Sequence, residues 1–384
     1  MADQTVPGID SFLSASRFRG AGIGLVTNPS GITARGVPTW RALLDAGFRI
    51  AALFGPEHGF RGAAQDGVQV GDETFLGIPV HSLYGDSQRP AEEAVREIDL
   101  MVFDIQDVGC RYYTYLYTLA YCMEACAAAG KPFCVLDRPN PIGAVLVEGG
   151  PIGKEAESFV GGYGLPARYG MTIGEYARYL AGEYVRGVEL EVIPLERYRA
   201  DLPFHGTGLP WTAPSPNIPS VDTAVVYPGT CLFEGTNVSE GRGTTRPFET
   251  IGAPWIDGEG FRRALMGLSL PGVVWSASFF TPTFSKYKGD ACQGVVLHVT
   301  DHGAFRPLRT AVAMLWVLKR DYGGRFEWKP DWEGGGSFVD RLAGGRWLRD
   351  LLDAGKGPDE VYSRACSGQE GFERTRRKYL LYPR

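Results

Sequence analysis

Ile50-Ala51-Ala52-Leu53-Phe54 runs directly into Gly55-Pro56-Glu57-His58-Gly59, and this stretch decides the fold. An unbroken apolar run closed by glycine and proline reads as a short strand buried on both faces. The pattern recurs on either side. Ile23 to Thr27 stops at Asn28-Pro29-Ser30-Gly31, Leu100 to Ile105 stops at Gln106-Asp107-Val108-Gly109, and Pro132 to Leu136 stops at Asp137-Arg138-Pro139-Asn140-Pro141. Helical spacing lies between them, from Pro38 to Leu44 and from Thr114 to Ala129, the latter ended by Gly130. Strands alternating with helices predict an α/β fold, with a parallel sheet covered on both faces. Thr172 to Tyr184 adds a helix with Thr172 and Glu175 in capping-box spacing, and Val188 to Ile193 adds a strand.

The second half reads differently. Pro203 to Pro219 is a Pro, Gly and Ser-rich loop, and Val225-Val226-Tyr227 leads into a Gly-rich stretch through Thr245. Phe261 to Met266 is helical, Val273 to Phe280 and Gly294 to Val299 read as paired strands, and Arg309 to Tyr322 is an amphipathic helix. This α+β pattern places a boundary near residue 224, giving units 1–224 and 225–384. A chain of 384 residues suits two domains of unequal size.

Composition narrows the function classes. With 44% hydrophobic and 22% charged residues the chain is ordinary for a globular protein, which argues against extensive disorder. A net charge of -5 without basic runs predicts no binding to nucleic acid or to an anionic membrane. No apolar stretch is long enough to span a bilayer. The opening Met1-Ala2-Asp3-Gln4 lacks the features of a leader, so the chain as given reads as cytoplasmic. The seven scattered cysteines read as buried free thiols, and without metal-ligand spacing no metal is expected. Gly20-Ala21-Gly22-Ile23-Gly24 is not a dinucleotide fingerprint, because the glycines precede the strand and position 25 is Leu. Phosphate-binding and nucleophile-elbow motifs are absent.

In an open parallel sheet, ligands bind beyond the carboxyl ends of the strands. Glu57 and His58 lie at one such end, with Arg61 close behind. A glycosidase needs a carboxyl group that is protonated when it meets the leaving oxygen, and burial at the rim would favour that form of Glu57. The bland alternative is a capping glutamate. Asp104, Asp107 and Arg111 follow another strand, beside Tyr112, Tyr113, Tyr115 and Tyr117. Sugars stack on aromatic rings and pair their hydroxyls with carboxylates; a local ion pair and core tyrosines are the competing reading. Asn140 sits in a loop that two prolines stiffen, serving either a turn or a substrate contact. The polar segment from Phe233 to Glu249 carries Glu234, Asn237, Glu240, Arg242 and Arg246. Its arginines suit a carboxylate or phosphate, and its alternative is a solvated loop.

The segments just quoted, with Arg111-Tyr112-Tyr113-Thr114-Tyr115 and Glu234 to Thr244, occur in an order that resembles the NamZ/YbbC family of exo-β-N-acetylmuramidases, formerly a domain of unknown function. The resemblance runs from about Gly22 to the C-terminal tail. It implies a Rossmann-like parallel-sheet N-terminal subdomain without a dinucleotide or other cofactor, and a smaller α+β C-terminal subdomain completing a cleft. It implies release of N-acetylmuramic acid from the non-reducing end of peptidoglycan fragments, with a muropeptide or related saccharide as partner. Many members carry an export signal. Glu57 carries over as catalytic, acting as general acid. Its partner is open among Glu234, Glu240 and Asp104, with Glu234 slightly ahead. The substrate's 2-acetamido group acting as nucleophile is a third route. The substrate's lactyl carboxylate calls for a fixed cation, for which Arg111, Arg242 and Arg246 are candidates. His58, Arg61, Asp107, Tyr112, Asn140, Asn237 and Glu240 complete the expected binding set. A non-catalytic muropeptide-binding protein, and a sugar-phosphate lyase or esterase on the same sheet, are the rival readings. The sequence sets no oligomeric state.

Overall fold

The computed structural model describes residues 4–14, 16–65, 68, 71–85, 87–331 and 336–384. The first three residues, on which the leader reading partly rests, lie outside these. Seven strands form one sheet: β1 (Gly22–Thr27), β2 (Arg49–Gly55), β3 (Glu73–Phe75), β4 (Ile78–Ser82), β5 (Leu100–Asp104), β6 (Phe133–Leu136) and β7 (Leu190–Ile193). Their order is β3-β4-β2-β1-β5-β6-β7. Every neighbouring pair is parallel except β3 with β4, an antiparallel edge. That edge hairpin escaped the sequence reading because β3 is short and partly exposed throughout.

The unbroken apolar runs follow from burial on both faces. Successive residues of a strand point to opposite sides. In β5, Leu100 and Val102 enter one core while Met101 and Phe103 enter the other. The first core is covered by the helices Gly8–Leu13 and Thr39–Asp45, through Phe12 and Leu43. The second is covered by the helix Tyr115–Ala129, through Leu116, Leu119 and Met123. Burial of each such side chain contributes about 1.5–3 kcal/mol. Thr172 caps the helix Ile173–Glu183 in a full capping box with Glu175, as its spacing predicts.

From β1 the chain builds outward through β2 to β4, then crosses to β5 on the other side of β1. The carboxyl ends of β1, β2 and β5 therefore flank the point where strand order reverses, which is where such sheets bind ligands.

The second half supplies a three-stranded antiparallel sheet, β8 (Thr250–Ala253), β9 (Val273–Phe280) and β10 (Cys292–Val299), in the order β8-β10-β9. The helices Gly258–Met266 and Pro307–Tyr322 pack with it. The boundary expected near 224 falls inside the helix Val221–Thr230, which Ser220 caps. Val225, Val226 and Tyr227 belong to this helix. Its apolar face joins a core that continues without a break from Val26 to Phe372. The helix lies so close to Pro307–Tyr322 that a Cβ on Gly229 would fall 2.0 Å from the Pro307 carbonyl oxygen.

The tail also crosses back. Arg384 pairs with Glu175 at 2.7 Å, and Ala200 N–H donates to the Pro383 carbonyl at 2.9 Å. The last residues thus pack against the helix Ile173–Glu183 and the loop that follows β7, in the first half of the chain. All seven cysteines are free and six are buried. Among the described residues no helix is long and apolar enough to cross a membrane.

Two carboxylates at strand ends act as braces. Asp104 is fully buried and accepts a two-pronged contact from Arg138, at 2.5 Å to Nε and 2.9 Å to Nη2, and a hydrogen bond from Thr39. Removing one partner of a buried pair strands the other. Asp104→Ala is expected to lower unfolding stability by about 3–5 kcal/mol in denaturant titration; an unchanged midpoint would contradict this bracing role. Asp137 follows β6 and accepts from Thr172 and Gly174, each at 2.8 Å, and from Tyr382. Burial nonetheless pushes its carboxyl up from 3.8 to about 7. The folded chain therefore holds this proton more tightly than the unfolded chain. The contribution of Asp137 to stability is greatest below about 4 and falls as pH rises to about 7. Relative to wild type, Asp137→Asn should gain in Tm as pH rises across that window. A pH-independent difference would rule this linkage out.

Candidate active site

The turn after β2 builds the site. A Cβ on Gly55 would lie 2.5 Å from the Phe60 nitrogen, so the chain doubles back hard against the strand end. His58 then adopts a left-handed backbone with φ 70°, which is uncommon for a residue with a side chain. Its Nδ1 lies 2.9 Å from the Ala64 carbonyl oxygen. A carbonyl only accepts, so Nδ1 carries a proton and donates to it. The turn presents Glu57 and His58 to a cavity of about 280 Å³. Glu57 is only 7% exposed, and its Oε2 accepts a hydrogen bond of 2.6 Å from the Thr114 hydroxyl. Thr114 directly precedes the helix Tyr115–Ala129, which fixes it to the sheet.

The facing wall comes from the second half. Glu234, in the 3₁₀ turn Cys231–Gly235, accepts from Arg242 Nη2 at 2.8 Å. Arg242 also approaches Glu240 at 3.4 Å, and Lys286 Nζ holds the other oxygen of Glu240 at 2.8 Å. Burial works to raise the carboxyl of Glu240, but Lys286 and Arg242 outweigh it and hold it below the ordinary range. The Arg242 guanidinium lies over the Phe248 ring at 5.0 Å. Tyr113, Tyr227 and Phe248 meet edge to face, at 6.0 Å and 4.8 Å between successive centroids, and line the cavity with Tyr112. Among the described residues no three His, Cys, Asp or Glu side chains gather as a metal site.

Of the residues singled out from sequence, Glu57, His58, Tyr112, Tyr113, Glu234 and Arg242 line this cavity. The others do not, and each has local work. Asp104 is committed to Arg138 behind the strand ends. Asp107 is buried beneath the rim, accepting from Gly109 N–H at 2.5 Å and from Tyr169, and burial raises its carboxyl to about 6. Arg111 donates to the carbonyls of Leu165 at 3.0 Å and Leu342 at 2.5 Å, pinning the two halves together. Asn140 bonds to Met171 at 2.8 Å and Ile142 at 3.1 Å, and Asn237 to Arg325 at 2.8 Å and Glu327 at 3.0 Å. These two amides tie loops. Glu240 stands behind Arg242 rather than in the lining. Arg61 pairs on the surface with Glu73 at 3.3 Å, and Arg246 reaches Glu249 at 4.0 Å while half exposed.

Several lining residues went unread. Ser215 and Asn217 lie in the loop Pro203 to Pro219, where closely spaced prolines were the one usable hint of a shaped wall. Tyr227 sits inside an apolar helix. Arg341 comes from the short helix Phe338–Ala343, far along the chain, and no local pattern marks it.

Residues 23–222 match the family described as exo-beta-N-acetylmuramidase NamZ, N-terminal, and residues 225–382 match its C-terminal counterpart. The peptidoglycan beta-N-acetylmuramidase NamZ of Bacillus subtilis (strain 168) is 43% identical over 380 residues, 98% of this chain and 91% of that protein. The crystal structures of two DUF1343 family proteins from Bacteroides fragilis NCTC 9343 are each 31% identical and cover 99% of both chains, with TM-scores of 0.89 and 0.79. With both halves matched in order and the fold shared throughout, the chain belongs to the exo-beta-N-acetylmuramidase NamZ family.

Proposed function

We propose that this chain is a glycoside hydrolase that releases N-acetylmuramic acid from the non-reducing end of peptidoglycan fragments in cell-wall turnover. The observation that carries the reading is the Glu57 carboxyl, buried at a strand end and facing an aromatic-lined cavity. The family membership and the Bacillus subtilis relative, named as a peptidoglycan beta-N-acetylmuramidase, support the same reaction. At about 280 Å³ the cavity is at the small end of ligand sites, which begin around 300 Å³. That size suits one terminal sugar rather than a threaded chain. The sugar would lie between the unit 1–224, which supplies Glu57, and the unit 225–384, which supplies Glu234 and Arg242.

Glu57 is the general acid. Thr114 engages Oε2, leaving Oε1 to carry the proton. That proton passes to the glycosidic oxygen as its bond to the anomeric carbon breaks, and the leaving sugar departs as an alcohol. Of the three carboxylates considered as partner, Glu234 is the one in the cavity wall, and its contact with Arg242 favours the ionised form that a base or nucleophile requires. The acetamido route remains chemically open beside it. Arg242 is the cation from the candidate set that faces the cavity, suited to the lactyl carboxylate.

The wild-type chain should release 4-nitrophenol from 4-nitrophenyl β-N-acetylmuramide and not from the matching N-acetylglucosaminide. Glu57→Gln should lower that rate by at least about a hundredfold. Well-folded wild-type protein that cleaves neither glycoside would refute the hydrolase reading and favour plain binding. Loss of the hydrogen bond to Glu57 in Thr114→Val should reduce kcat about ten- to a hundredfold with little change in KM. Thr114→Ser should restore most of it, and equal rates for all three proteins would remove Thr114 from the account.

A further inference from the structure

Among the described residues, two buried polar groups in the cavity wall lack a well-aligned hydrogen-bond partner. Asn217 is 6% exposed and its amide Nδ2 has no hydrogen bond. Tyr113 is 7% exposed; the hydroxyls of Ser215 and Tyr115 are near its own, but neither makes a well-aligned hydrogen bond to it. Buried polar groups in folded proteins are nearly always paired, so each exception asks for an explanation. Both residues line the cavity, and neither takes part in the proton transfer assigned to Glu57.

Their surroundings limit what completes them. Ile218, Tyr227 and Phe248 line the same cavity, and the rings of Tyr113, Tyr227 and Phe248 meet edge to face. Burial pushes the Tyr113 hydroxyl well above its ordinary range, so it stays protonated and able to donate. An amide N–H and a phenol O–H in an apolar pocket suit a neutral carbonyl oxygen. A carboxylate there would be desolvated without a countercharge, whereas the cation Arg242 lies with Glu234 and Glu240. A small apolar group would pack on the rings. A carbonyl carrying a methyl group meets both requirements, and on the proposed substrate that is the 2-acetamido group.

We infer that Asn217 and Tyr113 form the acetamido pocket, with the Asn217 amide donating to the acetyl carbonyl and the methyl group seated against Tyr227 and Phe248. The inference rests on the sugar-binding reading of this cavity. It assigns specificity for 2-acetamido sugars to the loop Pro203 to Pro219, which forms one wall of the cavity. Held in this way, the acetamido group is also oriented relative to the anomeric carbon.

The test is calorimetric binding of N-acetylmuramic acid and of muramic acid, which lacks the acetyl group, to wild type, Asn217→Asp and Tyr113→Phe. Asn217→Asp keeps the shape and replaces the donor with an acceptor; thermal melts confirm that each variant is folded. Wild type should prefer the acetylated sugar by about tenfold or more. Asn217→Asp should abolish or reverse that preference, because its carboxylate repels the acetyl carbonyl and attracts the 2-ammonium of muramic acid, and Tyr113→Phe should reduce it with muramic acid binding little changed. A wild type without preference, or variants that weaken both sugars equally, would overturn the acetamido pocket. Binding with the expected preference but no glycoside hydrolysis would instead overturn the hydrolase reading and leave the pocket standing.

Discussion

The site depends on one backbone constraint, the reversal at the end of β2. Gly55 leaves no room for a side chain against Phe60, and His58 is held in a left-handed conformation. Such a conformation persists only where the surroundings over-determine it. Here the His58 ring bonds to Ala64 and the Gly55 carbonyl accepts from Leu83 N–H at 2.8 Å. Without this turn Glu57 would continue along the strand direction. With it, the carboxyl meets Thr114 and faces the cavity. The sheet contributes rigidity, because β2 is central, paired with β1 and β4 and buried along most of its length.

Much of the fold was legible because burial on both faces writes a strong pattern. Continuous apolar runs closed by turn residues mark β1, β2, β5 and β6 within a residue or two. The β3–β4 edge was not legible, since an exposed strand has no apolar run to write. The interlocking of the halves was hidden as well. Nothing in Val225-Val226-Tyr227 reveals that its helix straddles the two units, and nothing in the tail reveals that Arg384 returns to Glu175.

The candidate site was legible in part, for a related reason. Placement after a strand found Glu57 and His58, but it also selected Asp104, Asp107 and Asn140, which brace the rim from behind. A polar residue at a strand end either faces the ligand or ties neighbouring loops, and its residue type does not say which. Asp104 fell to the second role because Arg138, from the next strand end, reaches it. The converse error concerns Asn217 and Arg341, whose loop and helix become cavity walls only through long-range packing.

The central claim is that this turn delivers a general acid to the terminal muramic acid residue of a saccharide. The most direct measurement is product analysis by mass spectrometry with two defined disaccharides, one carrying N-acetylmuramic acid and the other N-acetylglucosamine at the non-reducing end. The account predicts free N-acetylmuramic acid and N-acetylglucosamine from the first and no cleavage of the second. Cleavage of the second with the first left intact, or cleavage of both at equal rates, would contradict it.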